Sequence, residues 1–185
     1  MAVHPIRLLG DPVLRQKAKR VPSTSLRAGA KTDASVQRLI EDMIDSMHAA
    51  NGVGLAAPQI GVSLRVIVIG LPGEEPFALI NPAIVKRSGE RRVDEGCLSV
   101  PGYRAELTRS VAVVAKGLDP QGRPVRIKGR DDLLAQALEH EIDHINGILY
   151  IDHLPSLDAL VKIEPEESSP ASGREPARAP ASAAG

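Results

Sequence analysis

Five residues, His140-Glu141-Ile142-Asp143-His144, constrain this chain more than any other stretch of its 185-residue sequence. On an α-helix, residues four apart lie on one face about one turn from each other, so both imidazoles can reach one metal ion. The glutamate beside the first histidine can then reach a water on that metal. The pattern therefore predicts a metal-binding helix and points to hydrolytic chemistry.

The residues around this motif predict a complete and buried helix over 131–147. Asp131 or Asp132 suits the N-cap, and Gly147 suits a left-handed C-terminal stop. Leucine and isoleucine occupy most other sides of the helix, which is typical of a helix in a protein interior. A pair of histidines on a helix is otherwise usually a surface or core feature. Here their burial requires polar partners, and a metal ion supplies them.

The rest of the chain predicts an α+β fold. Residues 34–50 carry apolar side chains at helical spacing, with Asp33 as cap and Gly52 as stop. Short strands are predicted over 64–69, 78–80, 84–85, 111–115 and 125–127, with a hairpin turn at 119–122. Residues 1–25 look irregular and 26–32 read as a loop. Because no helices alternate with the strands, antiparallel sheets are expected.

Composition limits where the chain works and what it binds. The formal net charge is +0 and only 2% of residues are aromatic, so direct binding to nucleic acid or membranes is not expected. No apolar run approaches the roughly 20 residues of a membrane span, and the single cysteine fits a reducing compartment, so a cytoplasmic location is expected.

Residues 1–163 are predicted to form one catalytic domain. Residues 164–185, rich in Pro, Ala and Glu, are predicted to be a disordered tail.

The motif helix leaves the third metal ligand open. Candidates downstream are Asp152, His153 and Glu164, whereas Cys97 lies upstream. Cys97 could be a small core residue, but a thiolate is a strong ligand for zinc and other late first-row divalent metals. Residues 52–61 are rich in glycine and alanine, which allows close approach of backbone to a ligand. Gln59 in this segment is either a surface residue or a hydrogen-bond donor to substrate.

Three blocks, in this order, resemble the peptide deformylase family: GVGLAAPQ at 52–59, EGCLS at 95–99 and HEIDH at 140–144. The segment GDPVLR at 10–15 is similar to the opening segment of that family, and the resemblance covers about 5–163. Glu139 and Ile145 depart from the usual Gln and Leu, and neither is a ligand. The resemblance implies antiparallel sheets wrapped around a central metal-binding helix. It also implies hydrolysis of the N-formyl group from the first methionine of new polypeptides, with release of formate.

The resemblance also implies roles for individual residues. It implies that the metal ligands are Cys97, His140 and His144, that Glu141 is the general base and acid, and that Gln59 and the backbone N–H of Leu98 form the oxyanion hole. The backbone of Val53 and Gly54 is expected to align the peptide as an added strand. The methionine pocket is expected to be lined by Val93, Leu133, Ala137 and His140. Glu95 and Arg104 are expected near the substrate, with a structural salt bridge as the alternative.

The resemblance implies Fe²⁺ as the native metal, with Ni²⁺, Co²⁺ or Zn²⁺ also able to occupy the site; a Cys-His-His set by itself would indicate zinc. The implied partners are N-formylmethionyl nascent peptides and the ribosome near its exit tunnel. Two rivals remain at this stage: a metalloprotease of the His-Glu-x-x-His class, and a binding protein without activity. Such a protease would not need Cys97 or the glycine-rich segment at 52–61, and the presence of Cys97, Gln59 and Glu141 argues against the inactive binding protein.

Overall fold

The structure, a computed structural model, describes residues 2–22, 25 and 33–163. Helix α1 spans Ala34–Ala49 and helix α2 spans Leu133–His144. The strands are β1 Gly54–Ala56, β2 Val66–Ile69, β3 Phe77–Ser88, β4 Arg91–Cys97, β5 Val100–Arg109, β6 Ala112–Leu118, β7 Pro124–Arg130 and β8 Val161–Lys162. Short 3₁₀ helices span Pro12–Arg15, Ala57–Ile60, Tyr150–His153 and Leu157–Ala159.

These strands form two antiparallel sheets, which confirms the α+β prediction. One sheet has the order β1-β2-β3-β6-β7 and the other the order β4-β5-β8. Every pairing between these strands is antiparallel. Helix α2 packs its apolar side, including Leu138 and Ile142, against Ile67 and Val113 of the larger sheet. Its polar side faces β4 of the smaller sheet, so the sheets enclose the helix that carries the motif.

The N-terminal caps of both helices follow the sequence prediction, whereas the left-handed residue after α1 is Asn51, with a φ of 52°, rather than the predicted Gly52. The Asp33 side chain accepts from the Ser35 N–H at the start of α1, and the Asp132 side chain accepts from the Ala135 N–H at the start of α2. Gly147 has a left-handed φ of 79° and its N–H donates to the His144 carbonyl. The helix itself ends at His144, because the N–H groups of Asn146 and Gly147 bond carbonyls three residues back rather than four.

Two strand predictions were incomplete. The predicted strands 78–80 and 84–85 form the single strand β3, in which Asn81 adopts a φ of 53° and the register with β6 shifts. The Asn81 amide bonds the backbone of Val21 at 2.9 and 3.0 Å, which stabilises this irregularity within the strand. The β4–β5 hairpin was missed because its outward positions are charged and its few buried side chains give a weak apolar alternation.

Two of the predicted segments cannot be compared with the structure. The predicted loop at 26–32 and the predicted tail at 164–185 lie outside the described residues. Within the described residues, the helices are too short and too polar to cross a membrane.

Candidate active site

The structure brings one cysteine and two histidines together. Cys97 ends β4, and His140 and His144 lie on one side of α2. The Cys97 Sγ lies 3.2 Å from the His144 Nε2, and the two Nε2 atoms lie 3.1 Å apart. The three ligand atoms all fall within 4.8 Å of one another. A thiolate and two imidazoles suit Zn²⁺, Fe²⁺ and similar divalent ions, so these residues fit a single metal ion.

The protonation chemistry of the two histidines also fits a cation. His140 Nδ1 contacts the Glu95 carboxylate at 2.6 Å, which leaves its Nε2 directed towards Cys97 and His144. Burial lowers the pKa of His140, but hydrogen bonds to Cys97 and Glu95 outweigh burial and raise it well above its usual value. Burial lowers the pKa of His144 well below its usual value, which keeps that imidazole neutral and able to coordinate. The metal-free site therefore favours one positive charge beside a neutral imidazole.

A buried ion-pair network holds His140 in place. The Arg109 guanidinium donates to both Glu95 oxygens at 2.7 and 3.1 Å and to Asp143 at 2.6 Å. Asp143 in turn contacts the Nε2 of His153 at 2.9 Å. Burial raises the pKa of Glu95, but hydrogen bonds from His140 and Arg109 outweigh it and lower the pKa to about 2. Glu95 is therefore a fixed anion that orients the His140 ring.

Glu141 lies beside the ligand set in a dry environment. Its Oε2 is buried and has no hydrogen-bond partner among the described residues. Burial raises the pKa of Glu141 to about 7, because desolvation penalises the carboxylate more than the charge of His140 stabilises it. A Cβ on Gly54 would overlap the Glu141 carboxylate, so any larger residue at this position would displace that carboxylate. The arrangement suits a group that exchanges protons near neutral pH.

Gln59 lies in the interior and points its amide at Cys97. Its Oε1 accepts from the Ala56 N–H at 2.8 Å, while its Nε2 donates to the Ser99 hydroxyl at 3.2 Å. The same Nε2 lies 3.7 Å from the Cys97 Sγ. Because Gln59 is only 1% exposed, the alternative of a surface glutamine is excluded.

A cleft of about 630 Å³ opens beside these groups. The predicted site residues that line it are Val53, Gly54, Gln59, Glu95, Cys97, Leu98, Leu133, Ala137, His140 and Glu141. His144 lies beneath the lining as a buried ligand candidate. Strand β1, which begins at Gly54, is at the edge of the larger sheet and, among the described strands, pairs with β2 alone, so its outer edge can accept an extended peptide.

Two residues predicted near the substrate lie outside the cleft lining. Arg104 on β5 bonds Asp94 at 2.8 Å, which matches the salt-bridge alternative. Val93 packs in the core with Leu107 and Tyr150.

The downstream alternatives for the third ligand are engaged elsewhere or lie outside the described residues. His153 bonds Asp143, and Asp152 pairs with Arg15. Glu164 lies outside the described residues.

The sequence analysis did not identify Arg109, Asp143 or Ser99. Arg109 is one of 23 basic residues, and nothing local distinguishes it. The sequence could have indicated a buried ion pair at Asp143, because an acidic residue on a helix predicted to be buried needs a cationic partner. Ser99 lies in the EGCLS block and holds the Gln59 amide.

Comparisons with known proteins agree with this geometry. The family model described as polypeptide deformylase matches residues 3–159. A peptide deformylase from Dehalococcoides mccartyi (strain CBDB1) is 54% identical over 176 residues, which covers 95% of this chain and 100% of the relative. A peptide deformylase from Thermomicrobium roseum is 45% identical and covers 92% and 97% of the two chains.

Solved structures give the same result. The crystal structure of a peptide deformylase from Legionella pneumophila superposes with a TM-score of 0.78 at 46% identity, covering 85% of this chain and 89% of that one. A peptide deformylase from Synechococcus elongatus, solved in complex with actinonin, gives a TM-score of 0.76 at 37% identity, covering 84% and 83%. The chain therefore belongs to the peptide deformylase family, metal-dependent hydrolases that remove the N-formyl group from nascent polypeptides.

Proposed function

We propose that this deformylase holds one Fe²⁺ ion with Cys97, His140 and His144 and uses Glu141 to move the protons of the reaction. The observation that carries the proposal is the meeting of three ligand atoms within 4.8 Å, next to a buried Glu141 oxygen that has no hydrogen-bond partner in the described part of the chain. The donor set suits Fe²⁺, Zn²⁺, Ni²⁺ and Co²⁺, and we propose iron because the resemblance to the family implies it. When bound, the cation supplies positive charge that acidifies water and polarises the formyl carbonyl.

Glu141 has a separate task in each half of the reaction. Its carboxylate accepts a proton from the water that attacks the formyl carbon, and a pKa near 7 suits this exchange. Glu141 then delivers the proton to the leaving nitrogen as the C–N bond breaks. The products are formate and a free N-terminal amine.

The developing negative charge on the formyl oxygen needs fixed donors. We assign this role to the Gln59 Nε2 and the backbone N–H of Leu98, because both belong to the lining of the cleft beside Cys97. Ser99 and the Ala56 N–H hold the Gln59 amide, so it is oriented before substrate arrives. Removing one such donor costs roughly 100-fold or more in turnover.

The remaining contacts concern the peptide and its surroundings. We infer that the substrate backbone pairs with the free edge of β1 at Val53 and Gly54, and that Leu133 and Ala137 contact the methionine side chain. The substrates are formylated nascent chains, so we also infer a cytoplasmic location and action near the ribosomal exit tunnel. A metal ligand thiol must stay reduced, which suits the cytoplasm.

Two measurements on one preparation test the assignment of the metal and of Glu141. Protein purified without oxygen is analysed for metal, and formate release from formyl-Met-Ala-Ser is measured on the same sample. We expect close to one Fe²⁺ per chain and formate release, and we expect Glu141→Gln to keep the metal while losing most turnover. Formate release that survives in Glu141→Gln, or internal cleavage of an unformylated peptide without formate release, would contradict the assignment.

A further inference from the structure

Strands β3, β6 and β7 carry many cations and no carboxylate. None of these strands contains Asp or Glu. Their exposed cations include a set that we call the outer basic face: Lys86, Lys116, Arg126, Lys128 and Arg130. None of the five forms an ion pair with another described residue, whereas Asp119, Asp131 and Glu139 nearby are each bonded to a different arginine.

The pairing register places these cations side by side. Lys116 lies opposite Arg126, and Val114 lies between Lys86 and Lys128 in one row across the three strands. Four of the five, all except Lys116, surround one shallow depression of about 620 Å³. Like charges directly opposite each other destabilise a sheet, so the fold tolerates a local repulsion here. An anionic ligand would remove that repulsion.

The outer basic face points away from the active site. On β7, Ile127 packs into the core, and a Cβ on Gly129 would collide with Ala135 of α2. Because side chains alternate along a strand, Arg126, Lys128 and Arg130 lie on the opposite side of the sheet. A partner bound there leaves the cleft beside α2 open to a peptide.

The chemistry of this surface favours a phosphate backbone. Arginine and lysine bind phosphate through charge-assisted hydrogen bonds, and the distance from Arg126 to Arg130 along β7 is about 13 Å, enough to meet several phosphates. Phe77, at the other end of β3, packs against the core and is the one aromatic residue on these three strands, so no aromatic ring beside the cations is available to stack on unpaired bases. The face also lacks a large apolar side chain to enter a lipid surface, since its exposed apolar residue is Val85.

We propose that the outer basic face docks this enzyme on the phosphate backbone of double-helical RNA. The net charge of +0 gives the chain as a whole no attraction for RNA, so binding depends on how the fold segregates its charges. If the proposed function is right, the relevant RNA is that of the ribosome that presents the nascent chain. The docking surface itself does not depend on catalysis.

The test compares two double variants with the same change in charge. Arg126→Gln/Lys128→Gln alters the outer basic face, and Lys17→Gln/Arg38→Gln removes one Lys and one Arg that are exposed elsewhere. Binding of a labelled 20-base-pair RNA duplex is measured by fluorescence anisotropy between 50 and 200 mM salt. For the first variant we expect affinity to fall about tenfold or more, and the slope of log K against log salt to fall by about 2. The control should match the wild type.

Several results would overturn the docking proposal. They are equal weakening in both variants, no RNA binding by the wild type at 50 mM salt, and tighter binding to vesicles containing phosphatidylserine than to RNA. Thermal unfolding midpoints check that the variants fold, and Lys86→Gln on β3 provides a second, single change. Formate release from formyl-Met-Ala-Ser should be unchanged throughout. Its absence in the wild type would contradict the proposed function and leave the RNA result intact.

Discussion

Glu95→Gln should change how acid destabilises the metal-free protein. The folded-state pKa of Glu95 is lowered from 4.5 to about 2, although burial opposes this, because His140 and Arg109 bond the carboxylate. A group with a lowered pKa stabilises the folded state at pH values above its unfolded-state pKa. That stability is lost as the pH falls through the folded-state pKa. The size of the change corresponds to about 3 kcal/mol at neutral pH, which agrees with the cost of about 3–5 kcal/mol for breaking a buried ion pair.

The assay is urea unfolding of metal-free protein at pH 7, 5, 4, 3 and 2. The wild type should lose about 3 kcal/mol more than Glu95→Gln between pH 5 and 2, and the variant should already be less stable at pH 7. Asp94→Asn is the control, because that neighbouring carboxylate is exposed and its pair with Arg104 is worth about 1 kcal/mol or less. Parallel loss of stability in the wild type and Glu95→Gln below pH 5 would refute the reasoning.

Three further predictions concern the site directly. Gly54→Ala should lower kcat about 100-fold without unfolding the protein, since the new Cβ would displace the Glu141 carboxylate by roughly 1 Å; circular dichroism and a peptide assay check this. His153→Ala should retain metal and most activity, whereas Cys97→Ala should lose metal on dialysis, as metal analysis of both will show. Nickel- or cobalt-loaded enzyme should outlast the iron form in air, because oxygen oxidises ferrous iron and its thiolate; equal decay of all forms contradicts this.

The buried network shows why some predictions from sequence were possible and others were not. The ligand pair His140 and His144 and the cap Asp132 depend on helical spacing, which the local sequence specifies. Arg109 reaches Glu95 and Asp143 only after β5 has folded against β4 and α2. No pattern along the chain marks one arginine among 23 basic residues as the buried one.

The strands divide in the same way. Apolar runs identified β2, β6 and the start of β3, because burial requires them. The β4–β5 hairpin is rich in charged residues, and the buried contacts that stabilise it, such as Val93 opposite Leu107, exist only once the register is set. That hairpin carries Cys97 to the motif helix.

The sequence by itself determined the chemistry available to this protein: a thiol, two imidazoles a helical turn apart, and a carboxylate beside one of them. Tertiary structure decided that Cys97 meets His144, 47 residues away, because sheet pairing rather than local backbone geometry sets that distance. It also decided where charge resides. A net charge of +0 is an average over the chain, and only the alternation of side chains across β3, β6 and β7 gathers five cations on one face.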